Sequence, residues 1–317
     1  MIIVDGIDHT RGLIALMSQN QSNQLSPTAG ANTPIDIGEV EGQVIELHDP
    51  ELYKTCAVIT PIPGGLAAIT AQHIALYREC GFLAINDVFT LDEVAAGLAG
   101  LGHLIMGGNP AFKGVQFEAT ALERLGEMAL DERLDYVRKL MWFVGFDPRL
   151  HALAFHPGLL ALMARLVEDA PVMFQDMGLI KPPRIGREKP WHQDKAYFNL
   201  DLRESVVGCW IALDEATVEN GCMHLRPDMP LQPLVHFRRR DWQICDSETL
   251  GKQCVAAPLK PGGVLLFDGL LVHGTPHNTS DMRRRAVQFH YRSNRYPKLE
   301  ERDRLAIFGS EGKGAQC

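Results

Sequence analysis

Lys260-Pro261-Gly262-Gly263-Val264-Leu265-Leu266-Phe267-Asp268-Gly269-Leu270-Leu271-Val272-His273-Gly274-Thr275 reads as a glycine turn, a buried-strand run, then a histidine followed by a small flexible pair. Well upstream, Trp191-His192-Gln193-Asp194 sets a histidine and an aspartate two residues apart. On an extended backbone side chains alternate faces, so both point the same way and can meet one metal ion. They are two legs of a two-histidine, one-carboxylate face, the donor set that suits non-haem Fe(II) and leaves three coordination positions open. The triplet alone is weak. With 12 His and 39 acidic residues in 317, roughly one or two His-x-Asp/Glu triplets arise by chance. Its spaced company is more specific: His273 supplies a second imidazole, and Arg284 stands eleven positions later inside Arg283-Arg284-Arg285-Ala286-Val287-Gln288-Phe289-His290-Tyr291.

Outward from these stretches the second half of the chain, from Val172, alternates short strands with Gly, Pro, Asn and Asp turns. The strands include Ser205 to Leu213, Gly221 to Leu225, Val264 to Phe267 and Ala286 to Arg292. The first half is helical. Thr70 caps a helix over Ala71 to Cys80 that Gly81 ends, Phe82 to Ile85 is a short strand, and Thr90 with Glu93 opens a second helix to about Gly107. Leu134, Val137, Leu140, Met141 and Val144 recur at helical spacing over Asp131 to Val144, as do apolar residues over Pro157 to Val167. His151 and His156 read as structural. Helices followed by antiparallel strands indicate an α+β, mainly β fold: a double-stranded β-helix (jelly-roll, cupin-like) with helices packed on one side.

Three segments follow: an N-terminal arm over 1–65, a jelly-roll domain over 66–300 and a C-terminal tail over 301–317. The arm opens with polar low-complexity sequence, Ser18 to Gln24 and Ser26 to Gly30, which cannot bury enough apolar surface to fold alone. An extra edge strand or an interface arm, and with it a homodimer, is the expectation. A net charge of -8 excludes a general nucleic-acid binder. Arg238-Arg239-Arg240 reads as a solvated loop. Seven scattered cysteines without a Cys-x-x-Cys pair suit reduced thiols and a cytoplasmic location. The N-terminus carries no secretory pattern, no window suggests membrane insertion, and Gly314-Ala315-Gln316-Cys317 is not a peroxisomal address.

Lys181-Pro182-Pro183 leading into Trp191-His192-Gln193-Asp194, then Trp210, Asn220-Gly221-Cys222, and His273 with Arg284, resembles the phytanoyl-CoA dioxygenase family of Fe(II)- and 2-oxoglutarate-dependent oxygenases, from about Thr70 to about Tyr291. The resemblance implies that His192, Asp194 and His273 hold Fe(II) and act as the catalytic centre, with 2-oxoglutarate and O2 at the open positions. It assigns Arg284 to the far carboxylate of 2-oxoglutarate, a role suited to a guanidinium fork. Arg283 and Arg285 face the other way on a strand. Lys181, Gln193, Trp210 and Thr275 are expected around the cosubstrate, and Tyr197, Phe198 and Gln175 around a small-molecule substrate. Asp194 favours hydroxylation of a C–H with release of succinate and carbon dioxide, because halogenating relatives lack this carboxylate. His277 reads as solvated or supporting, while His290 shares a face with Arg284 by parity and either lines the cavity or fills the core. Arg226-Pro227-Asp228-Met229-Pro230 departs from the family pattern and alters a loop near the pocket mouth.

Two alternatives use the same three ligands. A Zn hydrolase would need a positioned base, and Glu188 is the only acidic residue close in sequence; Arg284 would then have no task. A non-catalytic jelly-roll binding protein would keep the site without needing it.

Overall fold

The computed structural model describes residues 39–40, 43–44, 48–118, 127–129, 131–252 and 254–309. Most of the low-complexity arm and Cys317 lie outside them. Two facing sheets form the body. The seven-stranded sheet runs in the order Phe82–Ile85, Val264–Asp268, Val206–Ala212, Arg284–Arg292, Val172–Lys181, Val137–Met141, Val115–Phe117. The five-stranded sheet runs Thr55–Val58, Cys254–Ala257, Met223–Leu225, His273–Thr275, Lys189–His192. All pairs are antiparallel except Thr55–Val58 on Cys254–Ala257. This is the jelly-roll with helices on one side that the strand pattern predicts.

Alternation of side chains sorts the buried Val206–Ala212 strand between two cores. Val207, Cys209 and Ile211 pack outward with residues of the helices Ala71–Cys80, Leu91–Ile105, Pro148–Ala154 and Pro157–Val167. Trp210 and Ala212 turn inward to meet Leu225, Ala257, Phe267 and Ala286 between the sheets. Both capping boxes form, at Thr70 with His73 and at Thr90 with Glu93, and Gly81 adopts the left-handed C-cap at φ 80°. Pro148–Val167 has the length and apolar composition of a membrane span. It is nevertheless broken after Ala154, and Leu150, Leu153, Leu159, Leu162 and Met163 are core residues.

The helix expected over Asp131 to Val144 is not formed. Only Glu132–Asp135 coils, as a 3-10 turn, and Val137–Met141 is a strand between Val115–Phe117 and Val172–Lys181. Buried Val137 and Leu140 are three apart, which imitates a helical stripe. A register shift between Gln116 and Phe117 on the partner strand interrupts the simple alternation, so the period read from sequence was that of an irregular strand. Thr55–Val58 adds an edge strand with Leu52 and Tyr53 buried beside it, and Glu301–Phe308 is a helix whose Phe308 packs on Ala196 and Trp242.

Gly208 lies on the inner face of its strand, where an added Cβ would overlap the ring of buried Phe267. Phe267 in turn lies 4.6 Å, centroid to centroid, from His273. Gly208→Ala is expected to lower stability by about 1–3 kcal/mol through overpacking, read as a lower denaturant midpoint. An unchanged midpoint would mean the ring relaxes freely.

Candidate metal centre

His192 ends the Lys189–His192 strand and is the register partner of His273 on the next strand. The ladder itself therefore brings the imidazoles together, their ring centroids 4.3 Å apart. The chain then turns through Asp194–Tyr197, bringing Asp194 Oδ1 to 3.3 Å from His192 Nε2 and 3.6 Å from His273 Nε2. All three residues are buried, with one ligand atom from each within 4.8 Å of the others. His192 Nδ1 donates to Pro190 O at 2.7 Å and His273 Nδ1 to Leu271 O at 2.9 Å. A carbonyl can only accept, so each Nε2 carries the lone pair that faces Asp194. Burial pushes the His192 pKa down to about 4, with His273 and Lys189 adding to it, so the ring is neutral and ligand-competent at pH 7. Burial alone would raise the Asp194 pKa; the neighbouring His290 and His273 outweigh it and hold the carboxyl well below its ordinary value. Two imidazoles and one carboxylate fit a divalent ion such as Fe(II).

The other oxygen, Asp194 Oδ2, accepts from His290 Nε2 at 2.7 Å and from Gln288 Nε2 at 3.0 Å. His290 thus holds a metal-facing carboxylate and is not simply a core filler, a distinction parity could not make. Gln288, two residues before it, was missed although the same alternation marks it. Such supporting partners orient ligands, and their loss typically reduces metal affinity about 10–100-fold. His290→Phe should show that loss in an Fe(II) titration under anaerobic conditions; wild-type affinity would reject the role.

Arg284 is buried on the same strand face. Its Nη1 donates to Leu179 O at 3.0 Å, its guanidinium lies 5.4 Å from the Trp210 ring centroid, and Nε has no partner. Burial lowers its pKa to about 10, and no carboxylate pairs with it among the described residues. Arg283 and Arg285 do turn away, pairing with Asp135 and Asp214.

These groups open onto one cavity, whose lining contains Gln175, Lys181, Tyr197, Phe198, Trp210, Thr275, Arg284 and the metal triad. Gln193 is excluded. Its amide spans Gln232 O, Leu270 O and Leu234 N behind the strand, because period two sends it opposite to His192 and Asp194. Lys181 lines the cavity, and its ammonium donates to Arg187 O at 2.5 Å and Pro276 O at 2.7 Å, with no anion paired to it among the described residues. Burial, followed by the charge of Arg284, lowers its pKa well below the usual lysine value. His277 is also not solvated: both ring nitrogens are enclosed. Glu188 is held by Tyr53 at 2.8 Å and Arg240 at 2.8 Å, which ties down the base a hydrolase would need.

Sequence reasoning missed two cavity lysines. Lys139 lies on the strand misread as a helix, so its direction could not be seen; it makes no hydrogen bond or ion pair among the described residues. Burial, then Lys189 and Arg138, lowers its pKa to about 8. Lys189 is bound to Tyr197 at 2.9 Å and to Asp241 at 2.7 Å.

A family model, phytanoyl-CoA dioxygenase (PhyH), matches residues 77–286. Phytanoyl-CoA dioxygenase domain-containing protein 1 of Danio rerio is 31% identical over 154 residues, 46% of this chain and 53% of that protein. The match thus spans about half of that relative's length. The Rattus norvegicus protein of the same name is 25% identical over 265 residues, 71% of this chain and 90% of its own. Among solved structures, the α-ketoglutarate-dependent carbocyclase SnoK of nogalamycin biosynthesis superposes with a TM-score of 0.57 at 21% identity, covering 79% of this chain and 95% of that one. EctD from S. alaskensis with 2-oxoglutarate and 5-hydroxyectoine gives 0.53 at 24%, with 71% and 76% covered. Likeness at those identities is one of fold; it is the family model, spanning well over half of these residues, that assigns the chain to the phytanoyl-CoA dioxygenase family.

Proposed function

We propose that this protein is an Fe(II)- and 2-oxoglutarate-dependent oxygenase that hydroxylates a C–H bond of a small molecule. The observation that carries the reading is Arg284: a buried, carboxylate-free guanidinium on the same strand face as the residues that hold Asp194. A diacid bound to the metal at one end could reach it with the other. His192, Asp194 and His273 would hold Fe(II), which, with 2-oxoglutarate and O2, supplies oxidising power by decarboxylating the cosubstrate to succinate and carbon dioxide. The chain's own task is to orient its partners and exclude water. Arg284 grips the distal carboxylate, Lys139 offers the diacid a second cation that no carboxylate pairs with among the described residues, and the rings of Tyr197 and Phe198 wall the side beside the metal. Asp194 keeps a position occupied that a halide would otherwise take, which favours hydroxylation. The names of the relatives, among them proteins described with 2-oxoglutarate, point the same way.

The test is spectroscopic. Adding 2-oxoglutarate to the anaerobic Fe(II) protein should produce a weak visible charge-transfer band, followed by succinate release once oxygen is admitted. Absence of both would leave a hydrolase or a binding protein.

A further inference from the structure

Within the oxygenase reading, we infer that Lys189 is a specificity-determining residue that presents an N–H to a neutral oxygen acceptor of the substrate, such as an amide carbonyl or a hydroxyl, and that Asp241 tunes it against carboxylates. Lys189 stands on the metal-bearing strand, and its side chain lines the cavity with 34% exposure. An ammonium has three donors. One goes to Tyr197 Oη at 2.9 Å and one to Asp241 Oδ2 at 2.7 Å, leaving one without a hydrogen-bond partner among the described residues. Tyr197 cannot take its place as donor, because its hydroxyl already donates to Trp242 O while accepting from Lys189. The tyrosine ring in turn lies 5.7 Å, centroid to centroid, from the His192 ring. A group held by Lys189 would therefore sit beside the metal ligands.

This ammonium is held in a direct ion pair with Asp241, whereas Lys139 makes none among the described residues. Asp241 Oδ1 accepts from Trp242 N at 2.7 Å, which fixes the carboxylate with Oδ2 toward Lys189. An approaching carboxylate would meet Asp241 behind the cation, whereas a neutral oxygen would feel the N–H dipole with little net repulsion. Asp241 belongs to the hairpin His236–Arg238 and Trp242–Ile244, which lies outside both main sheets. That hairpin follows Arg226 to Pro230, where the chain leaves the family pattern. Gln232 and Leu234 just before it, and its own His236, Asp241 and Trp242, all bond the segment from Lys189 to Tyr197.

The experiment uses full-length protein loaded with Mn(II) and 2-oxoglutarate, titrated with hexanamide and hexanoate, with ligand proton relaxation reporting binding near the metal. Wild type should bind the amide about tenfold more tightly than the acid. Asp241→Asn, nearly isosteric, should move that ratio at least tenfold toward the acid, and Lys189→Met should lose the amide. A wild-type preference for the acid, an Asp241→Asn ratio equal to wild type, or no binding of either probe would overturn the inference. The charge-transfer band with 2-oxoglutarate, recorded on the same proteins with Fe(II), reports separately on the oxygenase reading: a normal band with an unmoved ratio rejects only the role of Lys189 and Asp241.

Discussion

Asp194→Ala is expected to abolish both the charge-transfer band and succinate release while leaving the fold intact. The carboxylate supplies the one formal negative charge of the triad, and a divalent ion facing two neutral imidazoles alone would lose most of its electrostatic stabilisation in a buried site. The substitution also removes the acceptor that His290 Nε2 and Gln288 Nε2 share, Asp194 Oδ2, leaving these two buried groups only each other at 3.1 Å. An unsatisfied buried polar group costs about 1–3 kcal/mol, so a modest loss of stability should accompany complete loss of turnover. Anaerobic Fe(II) titration and succinate detection check the first part, and a denaturation curve the second. Measurable coupled turnover in this variant would remove Asp194 from the ligand set.

Arg284→Ala has the next largest effect and a different signature. A guanidinium–carboxylate pair made of charge-assisted hydrogen bonds is worth more than a neutral one, about 1.5–3 kcal/mol per bond to a charged group. Its loss should raise the 2-oxoglutarate concentration for half-maximal turnover by about 10–100-fold, with Fe(II) affinity near wild type because Arg284 contacts none of the three ligands. Arg284→Lys should recover only part of this, since an ammonium keeps the charge but not the planar fork. A wild-type 2-oxoglutarate dependence for Arg284→Ala would mean that another cation holds the diacid, and Lys139 would be the first to test.

The site was legible wherever chemistry and period coincide. His192 with Asp194, and Arg284 apart from Arg283 and Arg285, are separated by alternation alone, and the pairings of Arg283 and Arg285 with Asp135 and Asp214 agree. Gln193 shows the cost of setting that rule aside: a resemblance carried it into the cavity, whereas its parity already faced it away. Lys181 was read correctly as costly to bury; its ammonium donates to two carbonyl oxygens in place of an anion, and burial still lowers its pKa well below the usual lysine value.

By itself the sequence determined the two-residue spacing that makes one face of His192 and Asp194, the caps at Thr70 and Thr90, and the strand-rich half that must close on itself. Only the tertiary structure decided which distant strands pair. His273 meets His192 through ladder register, Lys139 reaches the cavity because an irregular strand replaced a helix, and Asp241 reaches Lys189 from a hairpin outside both sheets. The physical reason is range: alternation and capping act over a few residues, whereas register between strands is chosen by burying both inner faces at once.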